Sequence, residues 1–170
     1  MAEIKLTPLE ADDREQFIMD NQTAFNYGAL EEFGTRDEHF EEDNNVISRE
    51  TIEKSIDSGT AYRIMLGGQR VGGVVVKVDG EKGDLELLFV NPKFHSKGIG
   101  YKAWCEVEKL YPDVKVWETV TPSFEKRNIN FYINRCGFKI VEFFNKYHGD
   151  VNEDDELFEM FRFEKKIIKE

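Results

Sequence analysis

The stretch Leu85-Glu-Leu-Leu-Phe-Val-Asn-Pro-Lys-Phe-His-Ser-Lys-Gly-Ile-Gly100 decides how the rest of the chain is read. Its first six residues, Leu85 to Val90, have the length and apolar content of a buried strand. Asn91-Pro92 breaks that pattern. A glycine-bearing loop follows, and then a helix over Gly98 to Tyr111, whose Ile99, Ala103, Trp104, Val107 and Leu110 recur at helical spacing. Such a helix start leaves backbone N–H groups unpaired and carries a partial positive charge, which makes it an anion site. Gly98 and Gly100 let a phosphate approach the backbone with no Cβ in the way. From Lys93 to Lys102 there is no Asp or Glu, but there are three lysines and His95. In a chain of formal net charge −11 this loop is a local exception. The alternative is an ordinary strand-to-helix turn with solvated lysines.

Working outward, the segment before the loop reads as strands. Tyr62, Ile64 and Leu66 alternate with polar neighbours, Gly67-Gly68 makes a hairpin turn, and Arg70 to Val78 returns. Residues 79–83 turn again into Leu85 to Val90, giving an antiparallel meander. Upstream, Ile4 to Leu6 is a short strand and Glu10 to Phe33 one or two helices. Residues 34–45 are acidic and without period. Ser48 caps a short helix carrying Ile52 and Ile56, which Gly59 ends. Downstream, Pro112-Asp113 ends the long helix and Val114 to Val120 is a strand. Thr121-Pro122 starts another turn or helix, and Ile129 to Arg135 is helical. Gly137 breaks that helix before the strand Phe138 to Phe144. Residues 145–156 are polar, and Leu157 to Phe163 is a last strand. This order gives a single α+β domain over residues 1–170, with a central mixed, mostly antiparallel sheet flanked by helices.

Composition narrows the function. With 170 residues and 40% hydrophobic content the chain can bury one substantial core. No apolar run spans a bilayer, and Met1 to Leu6 lacks a secretory signature, so a cytoplasmic protein is expected. The acidic balance argues against nucleic acid and anionic membranes as partners. Cys105 and Cys136 are read as reduced structural thiols, and no spacing of His39, His95, His148 or the cysteines suggests a metal site. The loop is not a P-loop, which needs Gly-Lys-Ser/Thr after four intervening residues, nor a dinucleotide fingerprint, which needs a third glycine in a parallel unit.

Two blocks resemble the GNAT superfamily of acyl-CoA-dependent N-acetyltransferases. The loop Pro92-Lys-Phe-His-Ser-Lys-Gly-Ile-Gly100 is similar to the family's Pro-x-Tyr-Arg-Gly-Lys-Gly-Ile-Gly, with His95 where Gln or Arg is usual and Ser96 where glycine is common. Glu125-Lys-Arg-Asn-Ile-Asn-Phe-Tyr-Ile-Asn-Arg-Cys-Gly-Phe138 resembles Arg-Asn-x-x-Phe-Tyr-Glu-Lys-x-Gly-Phe, with one extra residue between Tyr132 and Gly137. The resemblance implies direct transfer of an acetyl group from acetyl-CoA to a primary amine, without a metal. It assigns the pantetheine arm to the backbone of Leu88, Phe89 and Val90. The diphosphate goes to the backbone of His95, Ser96, Lys97, Gly98, Ile99, Gly100 and Tyr101, with Asn128 beside the cofactor. Tyr132 is the expected general acid for the leaving thiolate.

For the general base, strand alternation places Glu86 on the face of Leu88 and Val90; Glu118 or a water chain are the alternatives. Residues 10–45 and 143–157 are expected to shape the amine pocket. Their acidity suits a cationic acceptor, and a homodimer is left open. A competing reading is a CoA-binding sensor or interaction module that has lost catalysis. Another is a generic phosphate-binding α+β domain.

Overall fold

The chain begins with β1 (Ile4–Pro8), whose lone proline closes an edge strand and so costs the sheet no ladder hydrogen bond. A 3-10 turn at Ala11–Asp13 leads into α1 (Arg14–Phe33), one continuous 20-residue helix. α2 (Arg49–Ser58) starts at Ser48, whose hydroxyl accepts from the Thr51 N–H at 3.1 Å. The expected meander follows as β2 (Thr60–Leu66), β3 (Gln69–Asp79) and β4 (Lys82–Val90). Next come α3 (Ile99–Leu110), β5 (Val116–Pro122), α4 (Lys126–Asn130), β6 (Lys139–Phe144) and β7 (Met160–Lys166). The computed structural model describes residues 3–33, 45–123, 125–145, 147 and 159–168; His39, His148 and Leu157 lie outside the described residues.

The seven strands form one sheet in the order β1-β2-β3-β4-β5-β7-β6, antiparallel everywhere except between β4 and β5. Its two faces are covered separately. Val74, Val76, Leu85 and Trp117 pack with Trp104 and Val107 of α3 and with Tyr132 and Phe138. Val75, Leu87 and Phe89 pack with Phe17 and Ile18 of α1 and Ile52 of α2.

Several boundaries differ from the sequence reading. β5 runs through Thr121 and Pro122, where the sequence predicts the start of a turn or helix, because those residues pair with Phe161 and Met160 of β7. β7 itself ends at Lys166 rather than Phe163, since Val116 pairs with Lys166. α3 starts at Ile99, with Gly98 outside it as a left-handed cap. The segment read as one helix, Ile129 to Arg135, is the end of α4 followed by a π-helical turn at Phe131–Arg135.

At the α1 end of the sheet a charged side chain is fully enclosed. Arg63 of β2, 2% exposed, forms a two-pronged pair with Asp13, 3% exposed, at 2.7 and 3.0 Å. Asp20 adds a contact at 3.0 Å, and the guanidinium lies 5.2 Å from the centre of the Phe17 ring. This cluster ties the start of α1 to β2 and β3, and α1 walls one side of the site described next.

Candidate active site

β4 and β5 pair only at their beginnings, from Lys82–Val116 to Asp84–Glu118. Beyond that point the strands part. The fork is pinned by Thr119, buried on β5, whose hydroxyl donates to the Leu85 carbonyl at 2.9 Å. The gap is the throat of a cavity of about 870 Å³ lined by Asp84 to Val90, the loop before α3, Glu118 to Pro122, the α4 segment, and Ala24, Phe25 and Ile47. That size suits a small-molecule site.

The register of β4 decides which of its backbone groups face the gap. The Asn91 N–H donates to the Val71 carbonyl at 2.8 Å, so Asn91 and Val71 are a hydrogen-bonded pair. Such pairs alternate along an antiparallel ladder. Phe89 opposite Gly73 and Leu87 opposite Val75 therefore spend their backbone groups on β3. Leu88 and Val90 turn theirs into the gap. Of the three residues expected to present backbone to a pantetheine arm, Phe89 does not, because β3 holds it.

The loop before α3 is built to leave amides open. Asn91 accepts from the Lys93 N–H, and the Phe94 and His95 N–H groups donate to Asn91 and Pro92 carbonyls, forming a 3-10 turn at Pro92–Phe94. The first hydrogen bond of α3 is Lys102 N–H to Gly98 carbonyl. Among the described residues, the amides of Ser96 to Tyr101 find no partner, as expected where a helix begins. Gly98 has φ 72° and open space where a Cβ would stand. Gly100 is different. A Cβ there would lie 3.3 Å from the Phe131 ring, so this glycine lets α3 and Phe131 close on each other. Ser96 takes a left-handed φ of 65°. That conformation costs a residue with a Cβ about 1–2 kcal/mol, and glycine is common at the matching position of the family it resembles.

His95 departs from the expectation that its backbone N–H faces the diphosphate, because that N–H donates to the Pro92 carbonyl at 3.2 Å and closes the 3-10 turn. Its Nε2 lies 2.7 Å from the Val90 carbonyl, and its ring meets Tyr27 of α1 edge-on at 5.4 Å. The imidazole ties the loop to the end of β4 and occupies the gap-facing Val90 carbonyl. His95 still lines the cavity wall.

The extra residue between Tyr132 and Gly137 is taken up by the π-helical turn, whose wider ring is closed by the Cys136 N–H donating to the Phe131 carbonyl. Tyr132 keeps its place. It is 8% exposed, it packs against Phe131, Phe138 and Phe163, and it lines the cavity. Burial holds its phenol well above the ordinary range, reinforced by Cys136, while a hydrogen bond with Thr119 works the other way. The phenol therefore stays protonated, and it stands at the fork where Thr119 also stands. Among the described residues the side-chain amide of Asn128, which lines the cavity, has no partner, whereas the Asn130 amide oxygen accepts from Asn134 at 2.6 Å.

Glu86 sits at a β-bulge. Val75 pairs with Leu87 and Val76 with Leu85, so Glu86 has no partner on β3. Leu85 faces α3 while Leu87 and Phe89 face α1 and α2. The bulge breaks simple alternation, and the charges that act on Glu86 are Asp84 and Lys77, a cross-strand pair on the face opposite Leu85, so Glu86 does not share the face of Leu88 and Val90. It opens into the cavity on the α1–α2 side, under the influence of Asp84 and Lys77. Burial first, and the Asp84 charge second, raise its carboxyl above the usual range. Glu118 is committed elsewhere: it pairs with Arg162 at 2.9 Å and Lys82 at 3.3 Å.

Thr119, Arg127 and Arg135 also line the cavity, and the sequence reading passed over them. Thr119 could have been marked as a polar residue on the inward alternation of Trp117. The arginines carry no such signal; Arg127 belongs to α4, and Arg135 takes its place at the end of the π-helical turn.

The chain belongs to the acetyltransferase (GNAT) family, whose model matches residues 19–138. It is 43% identical over 142 residues to the Bacillus subtilis (strain 168) protein YrkN, covering 81% of this chain and 74% of that one. Its fold is also that of the Thermoplasma acidophilum PaiA N-acetyltransferase solved with coenzyme A (TM-score 0.67, 19% identity, 97% of this chain and 99% of that one). The Arabidopsis thaliana Naa50 structure with the bisubstrate analogue CoA-Ac-MVNAL is similar (TM-score 0.66, 13% identity, 97% and 99%).

Proposed function

We propose that this protein transfers an acetyl group from acetyl-CoA to the primary amine of an acceptor. The observation that carries the reading is the forked edge of β4. The gap-facing backbone of Leu88 and the Val90 N–H, whose carbonyl His95 occupies, lead to the unpaired amides of Ser96 to Tyr101 at the start of α3. An extended amide-containing arm ending in a diphosphate needs that sequence of donors and acceptors. Asn128 adds a side-chain amide beside it.

The thioester then lies at the fork. Attack by the neutral amine forms the N–C bond and breaks the C–S bond. Tyr132, kept neutral by burial, gives its proton to the departing sulfur. Glu86 takes the amine's proton: it faces the cavity with no ion-pair partner among the described residues, whereas Glu118 is neutralised by Arg162 and Lys82. The acceptor enters from the α1–α2 side, past Ala24, Phe25 and Ile47.

Acetyl-CoA titrated into the protein is expected to raise its melting temperature in proportion to the logarithm of ligand excess. A panel of amines is expected to include acceptors that release free CoA thiol. No shift at saturating acetyl-CoA overturns the reading. A shift with no thiol release over the whole panel replaces the enzyme by a CoA-binding module.

A further inference from the structure

Among the described arginines, Arg14, Arg49, Arg63, Arg70 and Arg162 are each ion-paired to a carboxylate. Arg135 is not. In a chain of net charge −11 an arginine without a carboxylate partner is conspicuous. Its guanidinium instead lies 5.7 Å from the centre of the Tyr101 ring. Tyr101 belongs to the first turn of α3, the turn whose amides stand open, and both residues line the cavity wall. The π-helical turn ends at Arg135, so the residue inserted there helps to set the arginine against α3.

An arginine stacked on an aromatic face keeps its N–H fork directed away from the ring plane's contact and available to an anion. A diphosphate seated on the amides of α3 would place its attached ribose outward, past Tyr101. We propose that Arg135, held by Tyr101, binds the 3′-phosphate of coenzyme A and makes this protein distinguish CoA from 3′-dephospho-CoA. The proposal rests on the CoA reading of the cavity and adds a specificity residue to it. The phosphate is a dianion, and a guanidinium can meet two of its oxygens at once. The contact lies at an exposed rim, so the preference is salt-sensitive.

The test compares dissociation constants of CoA and 3′-dephospho-CoA by calorimetry for the natural protein, Arg135→Met and Tyr101→Leu. Methionine keeps the apolar contact with the ring and removes the charge. The natural protein is expected to prefer CoA about tenfold at low salt, equivalent to about 1.4 kcal/mol. Arg135→Met is expected to bind both ligands equally, at the level of dephospho-CoA, and Tyr101→Leu to fall between. Equal binding of the two ligands by the natural protein, or a preference that survives in Arg135→Met, overturns the proposal while leaving the CoA reading in place. Failure of the natural protein to bind either ligand overturns both.

Discussion

Replacing Tyr132 by phenylalanine separates chemistry from packing, because the structure lets both effects be worked out in advance. The ring is enclosed by Phe131, Phe138 and Phe163, and phenylalanine keeps all three contacts. Only the hydrogen bond with Thr119 is lost. Thr119 is not orphaned by the change, since its hydroxyl still donates to Leu85. The stability cost is therefore that of one neutral hydrogen bond, about 1 kcal/mol. For a chain of this size that lowers the melting temperature by about 2–4 °C. Acetyl-CoA affinity should stay constant, since the phenol is assigned to the departing sulfur and not to the bound thioester. Turnover should fall about a hundredfold, the usual cost of a lost general acid. Stopped-time release of CoA thiol measures kcat, and calorimetry measures the affinity. Because burial keeps the phenol protonated, the kcat–pH profile of the natural protein should show no fall from Tyr132 ionisation below pH of about 10, where a free phenol titrates. A variant that turns over at the natural rate while melting slightly earlier would refute the assignment and leave Tyr132 as a core residue.

Gly98→Val puts a β-branched side chain at φ 72° and into open cavity space; it should abolish CoA binding in calorimetry and cost more than the about 1–2 kcal/mol of an unbranched residue there. Gly100→Ala meets the Phe131 ring at 3.3 Å, but gains about 1 kcal/mol of helix propensity, so its melting temperature should change little. Glu86→Gln should raise the melting temperature at neutral pH. The native carboxyl titrates above its unfolded value because of burial and Asp84, so its charged form destabilises the fold. The gain should vanish as the pH falls through that raised value, and kcat should drop across the pH range in the same variant. Asp13→Ala removes the two-pronged partner of buried Arg63 and leaves it Asp20 alone as a carboxylate, so it should cost toward the lower end of about 3–5 kcal/mol, read as a lower urea midpoint, whereas Asp13 and Arg63 replaced together by apolar residues should cost far less.

The element order, the meander, the loop before α3 and the residue types at Tyr132, Asn128 and the glycines were legible along the chain. Hydrophobic period, turn residues and a charge-poor loop are properties of neighbours in sequence. Ser48 illustrates this, since a cap is decided by the three residues that follow it. Properties set by distant partners were not legible. The face of Glu86 depends on a bulge visible only when Val75 and Val76 of β3 are counted against β4. The backbone direction of Phe89 depends on Val71 and Gly73. The direction of His95 depends on a carbonyl five residues back that is free only because β5 has parted from β4. The extra residue before Gly137 is visible in sequence, but its absorption in a π-helical turn, with Tyr132 kept at the fork and Arg135 set beside Tyr101, is decided by packing. Local free energies select helices, strands and turns. The site lies where two strands stop pairing, and that is fixed by contacts between residues far apart in the chain.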